Sequence, residues 1–199
     1  MKALVVRLVR SIQNGRRSGK RANRKLLEER GEDIDDSFIV REANEKDIEQ
    51  LARLHVETWN DTYPMVKNPP TYAIREWQWK DVFSKPERNW FVYLVERKNG
   101  DLIGFTKGIF HGDSPGELNK IYLLREYQRM GLGRRMLGIV ARRFLSQRIT
   151  AMYVIAEASN PSCWFYEATG GVNMRKSDGS INYGNYFWHD LEKLSASCP

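Results

Sequence analysis

Two glycines and the arginines around them are the residues in this chain whose spacing first suggests chemistry. Gly131 and Gly133 bracket a single leucine, behind a mostly apolar run of strand length (Leu118, Ile121, Tyr122, Leu123, Leu124) and ahead of an amphipathic helical pattern. Glycine at these positions lets a ligand approach the main chain closely. The first N–H groups of a helix have no intrahelical partner and carry partial positive charge, so a turn that aims them outward suits a pyrophosphate. Arg129, Arg134 and Arg135 add formal charge beside it. Glycine turns before helices are common, so the turn gains weight only from its surroundings.

Those surroundings read as a single α/β unit. Residues 38–41 form a short strand, and residues 45–60 a helix with Ile48, Leu51, His55 and Trp59 on one face. His55 therefore points into the core or into a pocket the helix lines, and its apolar neighbours favour the core. Residues 61–85 are interrupted by Pro64, Pro69 and Pro70, with a short helix expected over 71–83. Trp59, Tyr63, Tyr72, Trp77, Trp79 and Trp90 make this region aromatic. Trp59 and Tyr63 are candidates for an acceptor pocket beside Glu57, Asp61 and Asp81, although packing of a helix on a sheet explains most of these rings. Strands are expected over 90–97 and 102–111, joined at Asn99-Gly100, a hairpin signal. After the central strand and a helix over 134–147 come a strand over 149–156 and a short helix over 160–167, with Asn160-Pro161 as its N-cap and first turn. Strands over 172–175 and 183–191 close the chain.

Length and composition bound the rest. A chain of 199 residues with 41% hydrophobic content forms one domain with an appendage. Net charge of +7 invites a nucleic-acid partner, but nine of the 32 Lys and Arg residues fall in 1–25, where there is no Asp or Glu. The other 23 face all 25 acidic residues, so the folded part is close to neutral. Residues 1–36, basic and then acidic, read as an N-terminal extension: a transit peptide, a nucleic-acid arm, or a solvated, partly helical segment. Residues 37–194 form the domain and 195–199 a tail. Two cysteines, Cys163 and Cys198, lack disulfide or metal-ligand spacing, which points to no metal and to a reducing, cytoplasmic compartment. No apolar run approaches the roughly 20 residues needed to span a bilayer, so no membrane partner is expected.

Gln128-Arg129-Met130-Gly131-Leu132-Gly133 resembles the Gln/Arg-x-x-Gly-x-Gly/Ala signature of the GNAT superfamily of N-acetyltransferases, which also lies between a strand and a helix. The segment from Asn160 through Tyr166 to Gly171 resembles that superfamily's later Asn-Pro-x-x-x-Phe-Tyr-Glu-x-x-Gly-Gly element. The segments 55–63 and 116–122 are similar to those of a bacterial-type subgroup. The likeness spans residues 38–194. It implies a mixed, mostly antiparallel sheet of six to seven strands flanked by helices, splayed between two central strands where acetyl-CoA lies. It further implies that the main chain of Ile121, Tyr122 and Leu123 holds the pantetheine arm, and that Gln128 and the main chain from Arg129 through Met130, Gly131, Leu132 and Gly133 to Arg134 cradle the pyrophosphate. Asn160 and Tyr166 face the thioester end. The interval of six residues between them is seven in many relatives.

The implied reaction is transfer of an acetyl group from acetyl-CoA to an amine. A lysine-like amine with a pKa near ~10.4 is protonated at neutral pH and needs a base. Glu117 stands fourteen residues before Gly131, the spacing of the catalytic glutamate in histone-acetylating members, and is the candidate base. The leaving thiolate needs a proton or hydrogen bond, which the phenol of Tyr166 can supply, and a main-chain N–H near Leu123 would meet the oxyanion. Cys163 has no base beside it in sequence and reads as buried packing. The acceptor, a small molecule or a protein, carries no signature, and a homodimer follows from the resemblance alone. Two other classes stay open: a CoA-binding regulatory module without productive catalysis, and a ribosome- or nucleic-acid-associated protein tethered by residues 1–25.

Overall fold

The strand Trp90–Arg97 is buried along most of its length and Leu102–Ile109 along nearly all of it, so both faces of this hairpin must be covered. They are β2 and β3 of a seven-stranded sheet in the computed structural model, which describes residues 38–199. The extension over 1–36, with its transit-peptide and nucleic-acid readings, lies outside the described residues. The other strands are β1 (Phe38–Glu42), β4 (Gly116–Leu123), β5 (Met152–Ile155), β6 (Val172–Arg175) and β7 (Ile181–Trp188), in the order β1-β2-β3-β4-β5-β7-β6.

Every neighbouring pair is antiparallel except β4 and β5. These two run parallel and pair only at Gly116 with Met152 and Glu117 with Tyr153. Beyond Glu117, β4 keeps only β3 as partner and β5 keeps only β7, so the sheet opens into a V. The expected mixed sheet with a central splay is therefore present, and Glu117 sits at its apex.

Helices cover both faces. On one side, α1 (Ile48–Thr62) and α2 (Tyr72–Ser84) lay Leu51, Leu54, Trp79 and Phe83 over Val92, Leu94 and Phe105. A 3-10 turn closed by a reciprocal Asn44–Asp47 capping box leads into α1, and the Thr71 hydroxyl caps α2. On the other side, α3 (Leu132–Leu145) packs Leu137, Val140 and Phe144 against Phe91, Leu118 and Met152. A short α4 (Cys163–Ala168) follows β5.

The C-terminus departs from expectation. The last strand stops at Trp188, because the Asp190 side chain accepts from the Lys193 N–H and starts α5 (Leu191–Ser197). Residues 195–199 are thus no free tail: α5 runs to Ser197, and Cys198 is completely buried against α3. The Cys198 carbonyl lies where a side chain on Gly138 would project, so the α3–α5 contact requires glycine there.

Candidate active site

The turn after β4 has the form an anion site needs. Arg129 (φ 68°) and Gly131 (φ 92°) both take left-handed backbone, which turns successive N–H groups toward one point. Among the described residues, the N–H groups of Arg129 to Gly133 donate to no protein atom, whereas those of Arg134 and Arg135 return to the Gly131 carbonyl. A Cβ on Gly131 would meet no protein atom within 4 Å. The open space and the free donors fit a pyrophosphate at the start of α3. The side chains do other work. Leu132 is buried with Tyr127 and Met136, and Met130 packs against the same cluster. Gln128 Nε2 donates to the Leu123 carbonyl at 2.9 Å, and Arg134 Nη2 donates to the Ala168 carbonyl at 2.9 Å. The cradle is therefore main chain, held in shape by Gln128 and Arg134.

Register decides which groups of β4 face the V. The Leu124 N–H donates to the Ile103 carbonyl, and antiparallel pairing alternates, so Tyr122 bonds across to Phe105 while Ile121 and Leu123 turn their main-chain groups away from β3. Of the three residues expected to offer main chain to a pantetheine arm, Tyr122 is thus spent on β3. Its side chain instead stacks on Phe105 on the α1–α2 side of the sheet.

Glu117 is held by three neighbours. Asn119 Nδ2 donates to Oε1 at 2.6 Å, His111 Nε2 lies 2.9 Å from Oε2, and the Tyr153 hydroxyl lies 3.4 Å from the same oxygen. Burial pushes this carboxyl up, but these hydrogen bonds and the charge of His111 outweigh it, leaving it below the usual carboxylate range. It is a fixed, ionised group at the apex of the V.

Tyr166 on α4 is buried, edge-on to Trp188 and tilted on Tyr186. Burial pushes its phenol well up, with Tyr122, Cys163 and Tyr63 adding to the shift, so it stays protonated at any working pH. Asn160 donates from Nδ2 to the Tyr63 hydroxyl at 2.9 Å and accepts the Ser162 N–H on Oδ1 at 2.8 Å. Its amide ties the approach to α4 to the end of α1, and the helix itself starts later than expected, at Cys163. Tyr63 stacks at a tilt on Trp59, 5.1 Å between ring centres. Cys163, expected as buried packing, is half-exposed, with Sγ 3.8 Å from the Glu157 carbonyl.

The inner side of this region is basic where acids were expected. Glu57, Asp61 and Asp81 are exposed, while Arg75 and Lys107 are each 8% exposed on the inner side of α2 and on β3. Lys107 is the cross-strand partner of Lys120, and Lys120 Nζ donates to Asn119 Oδ1 at 3.0 Å. Burial, with Lys107 and Arg75 adding to it, lowers Lys120 to about 8 despite Glu117. Two lysines interrupting apolar strand runs were the sequence signal for this basic side. His55 lies beside it, ringed by Trp79, Phe105 and Tyr122, with Nδ1 buried and unpartnered. Burial, then Arg75, Lys120 and Lys107, lowers it to about 2. Among the described residues, no cluster of three or more His, Cys, Asp or Glu is placed to hold a metal, and no helix is long and apolar enough to cross a membrane.

A sheet parted between two parallel strands, with a main-chain anion cradle following one of them, is the architecture of an acyl-CoA-dependent transferase. Residues 48–170 match the model of the acetyltransferase (GNAT) family, and the chain belongs to that family. It is an acetyl-CoA-dependent acyltransferase, with acetyl-CoA as cosubstrate. Among curated proteins it is similar to the uncharacterized N-acetyltransferase YuaI of Bacillus subtilis (strain 168), 34% identical over 138 residues that cover 65% of this chain and 77% of that one. Its fold resembles that of the PaiA N-acetyltransferase from Thermoplasma acidophilum in complex with coenzyme A (TM-score 0.59, 18% identity, 76% of this chain and 98% of that chain). It also resembles spermidine N-acetyltransferase from Vibrio cholerae in complex with CoA and spermine (TM-score 0.58, 17% identity, 79% and 97%).

Proposed function

We propose that the enzyme transfers the acetyl group of acetyl-CoA directly to a primary amine, with Glu117 as base and Tyr166 as hydrogen-bond and proton donor to the departing thiolate. The observation that carries this reading is the Glu117 carboxylate, ionised and held by Asn119, His111 and Tyr153 where β4 and β5 part.

In this reading the N–H groups of Arg129 to Gly133 hold the pyrophosphate, and the Ile121 main chain, turned away from β3, holds the pantetheine arm. The Leu123 N–H meets the carbonyl oxygen as it gains charge. The amine enters from the side of Trp59, Tyr63 and Tyr122. Glu117, directly or through a water, takes a proton from the ammonium, and the freed lone pair forms the C–N bond. The C–S bond then breaks, the nitrogen loses its second proton, and the sulfur is protonated as CoA thiol. A thiol titrates near ~8.5, below the raised phenol of Tyr166, so Tyr166 acts chiefly by hydrogen bonding to the developing thiolate. A lysine-like ammonium near ~10.4 lies far above the lowered carboxyl of Glu117, so the base needs help. The cations Arg75, Lys107 and Lys120 give it by favouring the neutral amine. The Cys163 thiol lies against the Glu157 carbonyl, an acceptor that cannot take its proton, so the reading is direct transfer without a covalent intermediate.

The test is thiol release from acetyl-CoA across a panel of amines, run with calorimetric CoA binding on the wild type, Glu117→Gln and Tyr166→Phe. General-base catalysis is typically worth about 10²–10⁴ in rate, so Glu117→Gln should lose at least about a hundredfold in kcat while still binding CoA. Retained turnover in Glu117→Gln would remove it from the mechanism.

A further inference from the structure

Two buried cations, Arg75 and Lys107, and the half-buried Lys120 lie together without an acid in an ion pair to any of them. Arg75 and Lys107 are each more than nine-tenths buried, and Arg75 Nε has no hydrogen-bond partner. Lys107 and Lys120 stand directly opposite one another on β3 and β4, a placement that like charges destabilise. None of the ion pairs among the described residues includes Arg75, Lys107 or Lys120. Their protein contacts are neutral: Arg75 Nη1 donates to Gln78 Oε1 at 2.9 Å, its guanidinium lies 5.7 Å from the Trp59 ring, and Lys107 Nζ lies 6.0 Å from the Trp79 ring. Glu117 and Asp81 are the carboxylates whose charge reaches Lys107, and Glu117 is already bonded to three other groups.

Position gives the cluster its meaning. Arg75 interacts electrostatically with Tyr122, which interacts in turn with Tyr63, and Tyr166 feels both tyrosines. Lys120 feels Arg75 and Glu117. On β4 Lys120 stands just past Glu117, Lys107 faces it from β3, and Arg75 lies by the Trp59 ring that packs on Tyr63, so the cations run from the proposed base toward the Trp59–Tyr63 side. Buried charges are kept when something pairs with them, and Arg and Lys together suit an oxyanion.

We propose that Arg75, Lys107 and Lys120 form an oxyanion subsite and that the acceptor is a small amine bearing a carboxylate or phosphate-type group, with its amino end toward Glu117. This rests on the acetyl-transfer reading above. Such an acceptor is bipolar, matching one carboxylate and three cations. Arg75 and Lys107 are each 8% exposed, so a small anionic end suits them better than a broad protein surface. A polyamine would bring further positive charge onto the cluster.

The experiment compares matched acceptors on the full chain with acetyl-CoA: glycine and β-alanine against their amides, 2-aminoethylphosphonate against ethanolamine, and spermidine. A charge-assisted contact is worth enough that kcat/KM should favour the anionic member by about tenfold or more. Carboxylate and phosphonate pairs tell the two oxyanion types apart. In Lys107→Met and Arg75→Gln, the acid-to-amide ratio within each variant should fall about tenfold or more, a readout that partial misfolding does not move. Calorimetry with N-acetylglycine in the presence of CoA gives a reading independent of turnover. Turnover that prefers amides or spermidine overturns the subsite and leaves acetyl transfer standing. Binding of N-acetylglycine that weakens in Lys107→Met, with no amine acetylated, supports the subsite and sinks the transfer reading. Neither turnover nor anion binding overturns both.

Discussion

His55 offers the sharpest test of the electrostatics around the sheet. Its ring sits 5.1 Å from Phe105, 5.4 Å from Tyr122 and 5.7 Å from Trp79 between ring centres, is 2% exposed, and leaves Nδ1 without a partner. Burial and the nearby Arg75, Lys120 and Lys107 hold it at about 2 in the folded protein. An unfolded histidine titrates near ~6.5, so between those values the unfolded chain binds the extra proton and folding stability falls as pH falls. The linkage slope is about 1.4 kcal/mol per pH unit well below ~6.5, which amounts to about 2 kcal/mol between pH 7 and pH 5. His55→Phe removes that proton and the unpartnered nitrogen, worth about 1–3 kcal/mol, and adds only a little volume. Urea unfolding of both proteins at pH 5, 6, 7 and 8 separates the contributions. Packing and desolvation shift the curves by a constant, and the other titrating groups are shared, so the pH-dependent part of the difference belongs to His55. The variant should gain about 2 kcal/mol on the wild type on going from pH 7 to pH 5. A difference that stays flat over that range would mean His55 is protonated in the fold or has a hydrogen-bond partner, and the argument fails.

Other substitutions probe the elements that hold the site. Gly131→Ala forces a Cβ into left-handed backbone at φ 92°, at a cost of about 1–2 kcal/mol. If the free N–H groups hold pyrophosphate, calorimetry should show CoA affinity falling about tenfold, and unchanged affinity would separate the cradle from the cofactor. Gly138→Ala drives a methyl into the Cys198 carbonyl and should destabilise the fold by about 1–3 kcal/mol in thermal or urea unfolding, with KM for acetyl-CoA little changed. A neutral result there would show that α5 docks loosely. Asn160→Ala removes a side chain bonded to both Tyr63 and Ser162, so stopped assays should show a higher KM for the amine with CoA affinity retained. Loss of CoA affinity instead would return Asn160 to the cofactor side.

Local signals carried most of the fold. Apolar periodicity, the Asn99-Gly100 turn and the glycine turn at 131 are short-range features, and the elements they mark fall within a few residues of expectation. The last helix escaped because its cap, Asp190, sits directly behind an apolar strand whose pattern gives no reason to stop. Residues 195–199 have little local propensity, and it is the fit of Leu194 and Cys198 onto α3 that orders them. The splay was expected from family likeness alone, since no sequence period distinguishes strands that pair at two positions from strands that pair throughout.

The site divides along the same line. Sequence by itself marked the parts whose chemistry is local: the main-chain donors after β4 follow from glycine and a helix start, and Glu117 and Tyr166 were expected from motif spacing through the family resemblance. It left open which groups share a pocket. The structure brought His111 and Tyr153 to Glu117 through strand pairing, turned Tyr122 away from the cofactor edge through register, and tied Asn160 to Tyr63 across 97 residues of chain. It also placed the exposed acids of the aromatic segment outside and Arg75, Lys107 and Lys120 within. The reason is geometric: the side-chain period along one strand or helix decides a face, while pairing and packing between elements distant in sequence decide what that face meets.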